Sequence, residues 1–282
     1  MIPFLHVGPV AVPTFGLMVA LAMVAAYFVL AADLARRGIA DKKSGLAESF
    51  VAIPCLAGIV GAKLYHVFET PRDLFADPMG QIFSQFGFAW FGGLIAGIAA
   101  FLLIAWRKKI PLLVILDAGS PAAALGYGIG RIGCLLSGDG DYGVATSLPW
   151  GMSFPNGLVP TAQRVHPTPI YELIVACAIA WLLWRMGARR MEAGEAERSS
   201  AGKPSAGKSS AGKSEQIATQ TGSAARPAGE VFAAYLMLTG VARFLVEFIR
   251  INPRSFFGLT NAQVASVASV VLGAALRRSK RR

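Results

Sequence analysis

GYGIGRIGCLLSGDGDYG, residues 126–143, decides how the rest of the chain is read. Gly128, Gly130 and Gly133 match G-x-G-x-x-G. A dinucleotide loop of that form joins a strand to a helix and has an acidic residue about twenty positions further on. Here the glycines lie inside an apolar run of membrane length. Glycine in such a run lets helices approach closely or the backbone distort. The cofactor reading falls away, and Arg131, an ionisable residue inside apolar sequence, becomes the residue to explain.

The surroundings agree with a chain folded in lipid. Apolar residues make up 54% of the sequence and charged residues 15%, with the charges clustered between long apolar stretches. Seven stretches are candidates to cross a hydrocarbon core of ~30 Å: 10–32, 46–67, 88–106, 112–136, 169–186, 231–249 and 262–276. The expected fold is therefore an all-α integral membrane protein of about seven transmembrane helices. Lys and Arg concentrate after every second stretch: Arg36, Arg37, Lys42 and Lys43; Arg107, Lys108 and Lys109; Arg185, Arg189 and Arg190; and the basic run 277–282. By the positive-inside rule the amino terminus lies outside and the carboxyl terminus inside. No Lys or Arg precedes Arg36, which argues against a cleaved leader. The net charge of +11 reads as topology signal and attraction to anionic headgroups, with no nucleic acid as partner.

Two further glycine motifs, GKPSAGKS at 202–209 and GKSSAGKS at 207–214, fit G-x-x-x-x-G-K-S. A working loop of that kind needs a buried strand before it and a helix after it. These belong instead to a five-residue low-complexity repeat in a polar tract. The expected organisation is transmembrane helices one to five over 1–191, a disordered basic cytoplasmic linker over 192–228, and helices six and seven with a basic tail over 229–282. Cys55, Cys134 and Cys177 have no metal-ligand spacing, so no metal site is expected.

With this topology the polar residues gather at the external ends. Arg131, Ser137, Asp139 and Asp141 close the fourth stretch. Arg243, Glu247 and Arg250 close the sixth at spacings that share one helical face. His166, Tyr171 and Glu172 open the fifth, where Thr168 can cap the helix, Pro169 suits its first turn and Glu172 suits its positive end. Lys63, Tyr65 and His66 end the second; Phe91, Gly92 and Gly93 begin the third; Asn261 and Gln263 begin the seventh. A guanidinium's planar fork suits phosphate, so Arg131 and Arg243 on neighbouring helices can hold an anionic phospholipid headgroup while its acyl chains stay among the helices. The rivals are a purely structural Arg/Glu network and a transporter. A transporter would need polar residues reaching the midplane, whereas Asp117 is nearly alone on the inner half.

GRIGCLLSGDGDYG, HPTPIYE, ARFLVEFIR, FGGLIAG and PTFGLM resemble, in order and spacing, the bacterial prolipoprotein diacylglyceryl transferases. The resemblance covers nearly the whole chain outside the linker. It implies a multi-pass enzyme of the bacterial inner membrane with its active site facing the outer leaflet. Its substrates would be phosphatidylglycerol and a preprolipoprotein signal peptide carrying a lipobox cysteine, with no cofactor. A diacylglyceryl group would pass to the cysteine thiol, forming a thioether and releasing glycerol phosphate. The resemblance implies phosphate binding by Arg131 and Arg243, and gives family counterparts to Gly143, Glu247, His166, Gly92 and Gly93. Tyr171, Glu172, Arg250 and Gln263 are the further expected substrate-binding residues.

The sequence also departs from the family. Phe15 stands where the family has a tyrosine, and Phe91 where its H-G-G-L motif has the histidine. Cys134 and Ser137 replace two asparagines, and Asp139 or Asp141 replaces a glutamate. The motif histidine is the usual candidate to take the thiol proton. Without it, a thiol with an ordinary pKa of about 8.5 needs another base or a positive field. Asp139, Asp141, Glu247, His66 and His166 are the candidate acceptors. Other readings are a relative moving a different phospholipid-derived group, and one that only binds lipid or lipopeptide.

Overall fold

Long apolar helices lead to a cluster of polar side chains at one end of the molecule. The computed structural model describes residues 1–40, 44–83, 89–200, 228–254 and 258–279. Its long elements are helices: α1 (Thr14–Arg36), α2 (Leu46–Glu69), α5 (Trp90–Arg107), α6 (Leu112–Ser137), α7 (Thr168–Ser200), α8 (Glu230–Val246) and α9 (Asn261–Ser279). Two short helices, α3 (Pro71–Ala76) and α4 (Pro78–Phe83), follow α2. Strands β1 (Phe4–Val7) and β2 (Val10–Pro13) pair antiparallel, as do β3 (Met152–Phe154) and β4 (Thr161–Val165).

Among the described residues four helices are long and apolar enough to cross a membrane: Thr14–Arg36, Leu46–Glu69, Leu112–Ser137 and Thr168–Arg189. Phe91–Arg107 is a shorter apolar helix. Their outward faces carry exposed side chains such as Phe28, Leu56 and Ile95, each more than 60% exposed. That is the inverse of a water-soluble surface, and the architecture is that of a predominantly helical membrane protein.

Packing forms two halves joined through α6. Leu30, Ala31 and Leu34 of α1, Phe50 of α2, Ile104 of α5 and Ile115 and Ala118 of α6 make one buried cluster. Ala124 of α6, Ile179 and Leu183 of α7 and Val231 of α8 make another. A third, Tyr142, Phe154 and Val165, lies beneath the β3–β4 hairpin.

Several boundaries differ from the sequence reading. The stretch expected to be helical from residue 10 begins as β2, because the alternating VAVP pairs with Phe4–Val7 and Pro13 ends the strand. The sixth stretch, expected to run to 249, is helical only to Val246, and Arg250 lies in a β-bridge with Gly143. Helix α7 continues to Ser200, past the expected boundary at 191. Lys42, Lys43, the start of the third stretch at 88, the repeats at 202–214 and the end of the basic tail at 280–282 lie outside the described residues.

Candidate active site

The end of α6 sets the site's geometry. Gly138 adopts a left-handed conformation (φ +59°) and its N–H bonds Cys134 O at 3.0 Å, stopping the helix and turning the chain. The carbonyls of Ser137 and Gly138 then accept from Leu158 N and Val159 N at 2.9 and 2.8 Å, pinning the turn to the hairpin. Within it, Asp141 N bonds Asp139 Oδ1 at 3.2 Å.

Gly143 is the junction where three segments meet. Its N–H bonds His166 O at 2.9 Å, Val144 N bonds Ile249 O at 2.8 Å, and His166 N bonds Val144 O at 3.1 Å. The signature loop is thereby laced to the exit of α8 on one side and the entry of α7 on the other. A Cβ on Gly143 would lie 2.5 Å from Ile249 O and 3.0 Å from His166 Cβ, so only glycine fits.

This lacing brings three guanidiniums around one carboxylate. Glu172 Oε1 accepts from Arg243 Nη1 at 2.8 Å, from Arg131 Nη2 at 3.2 Å and from the Tyr127 hydroxyl at 2.6 Å. Its Oε2 lies 3.0 Å from Arg131 Nε and 3.3 Å from Arg250 Nη1. Asp141 bridges from the other side, pairing with both Arg131 and Arg250. Glu247 is buried, accepts from Asn252 Nδ2, and presents Oε2 3.1 Å from Arg243 Nη2 without the alignment of a hydrogen bond. Three arginines face three carboxylates, and Arg243 is the most exposed of the arginines, with 27% of its side chain accessible.

Burial, and after it repulsion from Asp141, push the Asp139 carboxyl above the ordinary aspartate range. Burial also opposes the charge on Asp141, but the Arg250 and Arg131 charges outweigh it and hold that carboxyl below the ordinary range. Cys134, Asp139 and Asp141 bring ligand-type atoms within 4.8 Å of one another. Asp141 in this group is already paired with two guanidiniums, those of Arg131 and Arg250.

Other expected residues lie around this centre. His166 Nδ1 is 3.2 Å from the Tyr171 hydroxyl, which accepts from Trp150 Nε1 at 2.8 Å. Gly92 and Gly93 lie instead where α5 crosses α2: their missing side chains make room for Gly58, Gly61, Ala62 and Tyr65. Gln263 and Thr260 form a reciprocal capping box, Thr260 N to Gln263 Oε1 at 3.0 Å and Gln263 N to Thr260 Oγ1 at 3.2 Å. The Gln263 side-chain oxygen thus helps to start α9. Thr168 does not cap its own helix: it is the first residue of α7, and its hydroxyl donates to Asp141 O. Glu172 serves no helix end either; its partners are the arginines. His66 sits near the end of α2, which packs on α5 and α1. Phe91 is exposed at the start of α5, and Phe15 packs against Gly133.

Tyr127 and Trp150 were missed in the sequence reading. Tyr127 stands one turn before Arg131, a spacing that places both on one helical face. No comparable signal marks Trp150, which reaches Tyr171 from a loop.

Nearly the whole chain resembles known proteins. The profile of the family described as prolipoprotein diacylglyceryl transferase matches residues 3–201 and 217–277. A phosphatidylglycerol–prolipoprotein diacylglyceryl transferase of Geobacter sulfurreducens is 30% identical over 91% of this chain and 84% of its own length. A protein of the same name from Clostridium tetani is 29% identical, covering 92% and 89%. Another, from Bordetella bronchiseptica, is 30% identical over 96% and 92%.

Proposed function

The chain belongs to the prolipoprotein diacylglyceryl transferase family, and from that premise we propose that it transfers the diacylglyceryl group of phosphatidylglycerol to the lipobox cysteine of preprolipoproteins. The observation that carries the reading is the convergence of Arg131 and Arg243, from separate helices, on Glu172. Side chains that can share one carboxylate can share one phosphate, and the exposed edge of Arg243 is where a lipid phosphate enters the cluster.

In the reaction the cysteine sulfur attacks the glyceryl carbon that carries the phosphate oxygen. A C–S bond forms, the C–O bond breaks, and the oxygen departs with glycerol phosphate. Negative charge grows on the leaving phosphate, and Arg131 and Arg243 offer donors fixed in advance for that charge. Glu172 and Asp141 keep the guanidiniums oriented before lipid arrives. The thiol proton goes to a nearby base, for which Asp139, Asp141, Glu247, His66 and His166 are the candidates.

Tyr171, Glu172, Arg250, Gln263, Gly92 and Gly93 belong to the same substrate-binding set, with Gly143 shaping its floor. Seven spans, with the amino terminus outside and the carboxyl terminus inside, place this end at the outer leaflet of the inner membrane. The basic flanks of Arg36, Arg107, Arg185 and Arg277 then lie in the cytoplasm.

A second reading, a relative that holds lipid and peptide without joining them, is favoured by Phe91 in the place of the family's histidine. One assay separates the two: purified protein, phosphatidylglycerol vesicles and a lipobox peptide, with mass spectrometry for the diacylglyceryl adduct. Adduct is expected. Peptide and lipid binding with no adduct would establish the second reading instead.

A further inference from the structure

We propose that Asp117, at the opposite end of the bundle from the arginine cluster, is a positioning residue that sets the height of α8 and so brings Arg243 level with Arg131; this rests on the functional reading above. Asp117 is 1% exposed. Its Oδ2 accepts from Gly229 N and its Oδ1 from Phe232 N, each at 2.8 Å.

Helix α8 begins with backbone N–H groups that its own sequence does not satisfy. Gly229 is its N-cap residue, has φ +108° and contributes no side chain. A carboxylate from α6 supplies the missing acceptors and meets the positive end of the helix dipole. Because its two oxygens hold N–H groups three residues apart, the contact fixes both the height and the rotation of α8. The packing beside it is tight: Leu113 lies 3.4 Å from where a Gly229 Cβ would stand, and Val231 and Ala233 are buried.

The spacing links this clamp to the site. Fourteen residues separate Asp117 from Arg131 along α6, and fourteen separate Gly229 from Arg243 along α8. At 1.5 Å per residue both intervals are ~21 Å. Helices joined level at one end are therefore level at the other, where both arginines reach Glu172. A slip of one residue would carry Arg243 Nη1 from 2.8 Å to beyond hydrogen-bond reach of Glu172 Oε1.

Distances measured between spin labels test the assignment directly. In the full chain with Cys55, Cys134 and Cys177 replaced, one label pair is placed at Ala123→Cys on α6 and Leu245→Cys on α8. A control pair at Leu21→Cys and Ile174→Cys spans α1 and α7. Asp117→Ala is expected to shift or broaden the 123–245 distance by roughly one helical rise or more, ~1.5 Å and upward, while the control pair stays put. In the unlabelled protein it is expected to lower the transfer rate at least ~10-fold, in line with the sensitivity of reaction rates to small misplacements. Asp117→Asn keeps one acceptor oxygen and should fall between wild type and Asp117→Ala in both measurements; it also serves if Asp117→Ala does not fold. An unchanged 123–245 distance, or equal disturbance of the control pair, overturns the proposal. If the wild-type chain transfers nothing while the distances move as expected, the functional reading fails and the positioning role stands.

Discussion

Glu172 shows how much a single buried carboxylate can organise. Three guanidiniums and a phenol meet on it, and its side chain is 5% exposed. Removing one member of a buried ion pair leaves the others uncompensated, which costs ~3–5 kcal/mol. Glu172→Ala should therefore lower unfolding stability in detergent by that order and abolish transfer, whereas a merely peripheral carboxylate would change neither. Asp141 gives a second prediction, through pH. Its folded pKa is depressed, so its contribution is complete above the unfolded aspartate value of about 3.9 and is lost as pH falls through the folded value. Asp141→Asn should flatten the loss of stability on the acid side; an unchanged acid limb of the unfolding midpoint against pH would refute this. The arginines were legible in the sequence because an ionisable residue in an apolar helix needs a reason. The role of Glu172 was not. Glu172 was expected among the substrate-binding residues, but that three arginines share it was not readable, because those partners lie 41, 71 and 78 residues away along the chain.

At the scale of elements, apolar length gave the helices but not what happens at their ends. Residues 10–13 are as hydrophobic as the helix that follows, and hydropathy does not distinguish a short strand from a helical turn. Thr260-Asn261-Ala262-Gln263 did carry a readable signal, since Thr followed three residues later by Gln is the pattern of a capping box. Thr260→Ala should lower stability by ~1 kcal/mol and leave transfer within a few-fold, checked by thermal unfolding beside the adduct assay. The α2–α5 crossing is more demanding. A Cβ on Gly61 would press into Ala96 and the Gly92 carbonyl, and overpacking of this kind costs ~1–3 kcal/mol. Gly61→Ala should lower the unfolding temperature, and a variant as stable as wild type would show that the two helices have room to part.

For the whole molecule, the proposed membrane orientation and the proposed chemistry meet at one end. The β3–β4 hairpin and the arginine cluster share one end, and the basic flanks of the helices share the other. A cysteine at Leu158, which is exposed beside the hairpin, should react with a membrane-impermeant maleimide from outside intact cells, and one at Arg277 should not. In the proposed chemistry Arg131 and Arg243 act together on one phosphate. The most direct measurement is the rate of diacylglyceryl adduct formation, by mass spectrometry, for wild type, Arg131→Ala, Arg243→Ala and the double variant in phosphatidylglycerol vesicles. Groups acting as a unit are far from additive. Each single variant is predicted to lose at least ~100-fold, the scale of one lost charge-stabilising donor, with the double variant little worse. Adduct formation at the wild-type rate in the double variant would contradict the account.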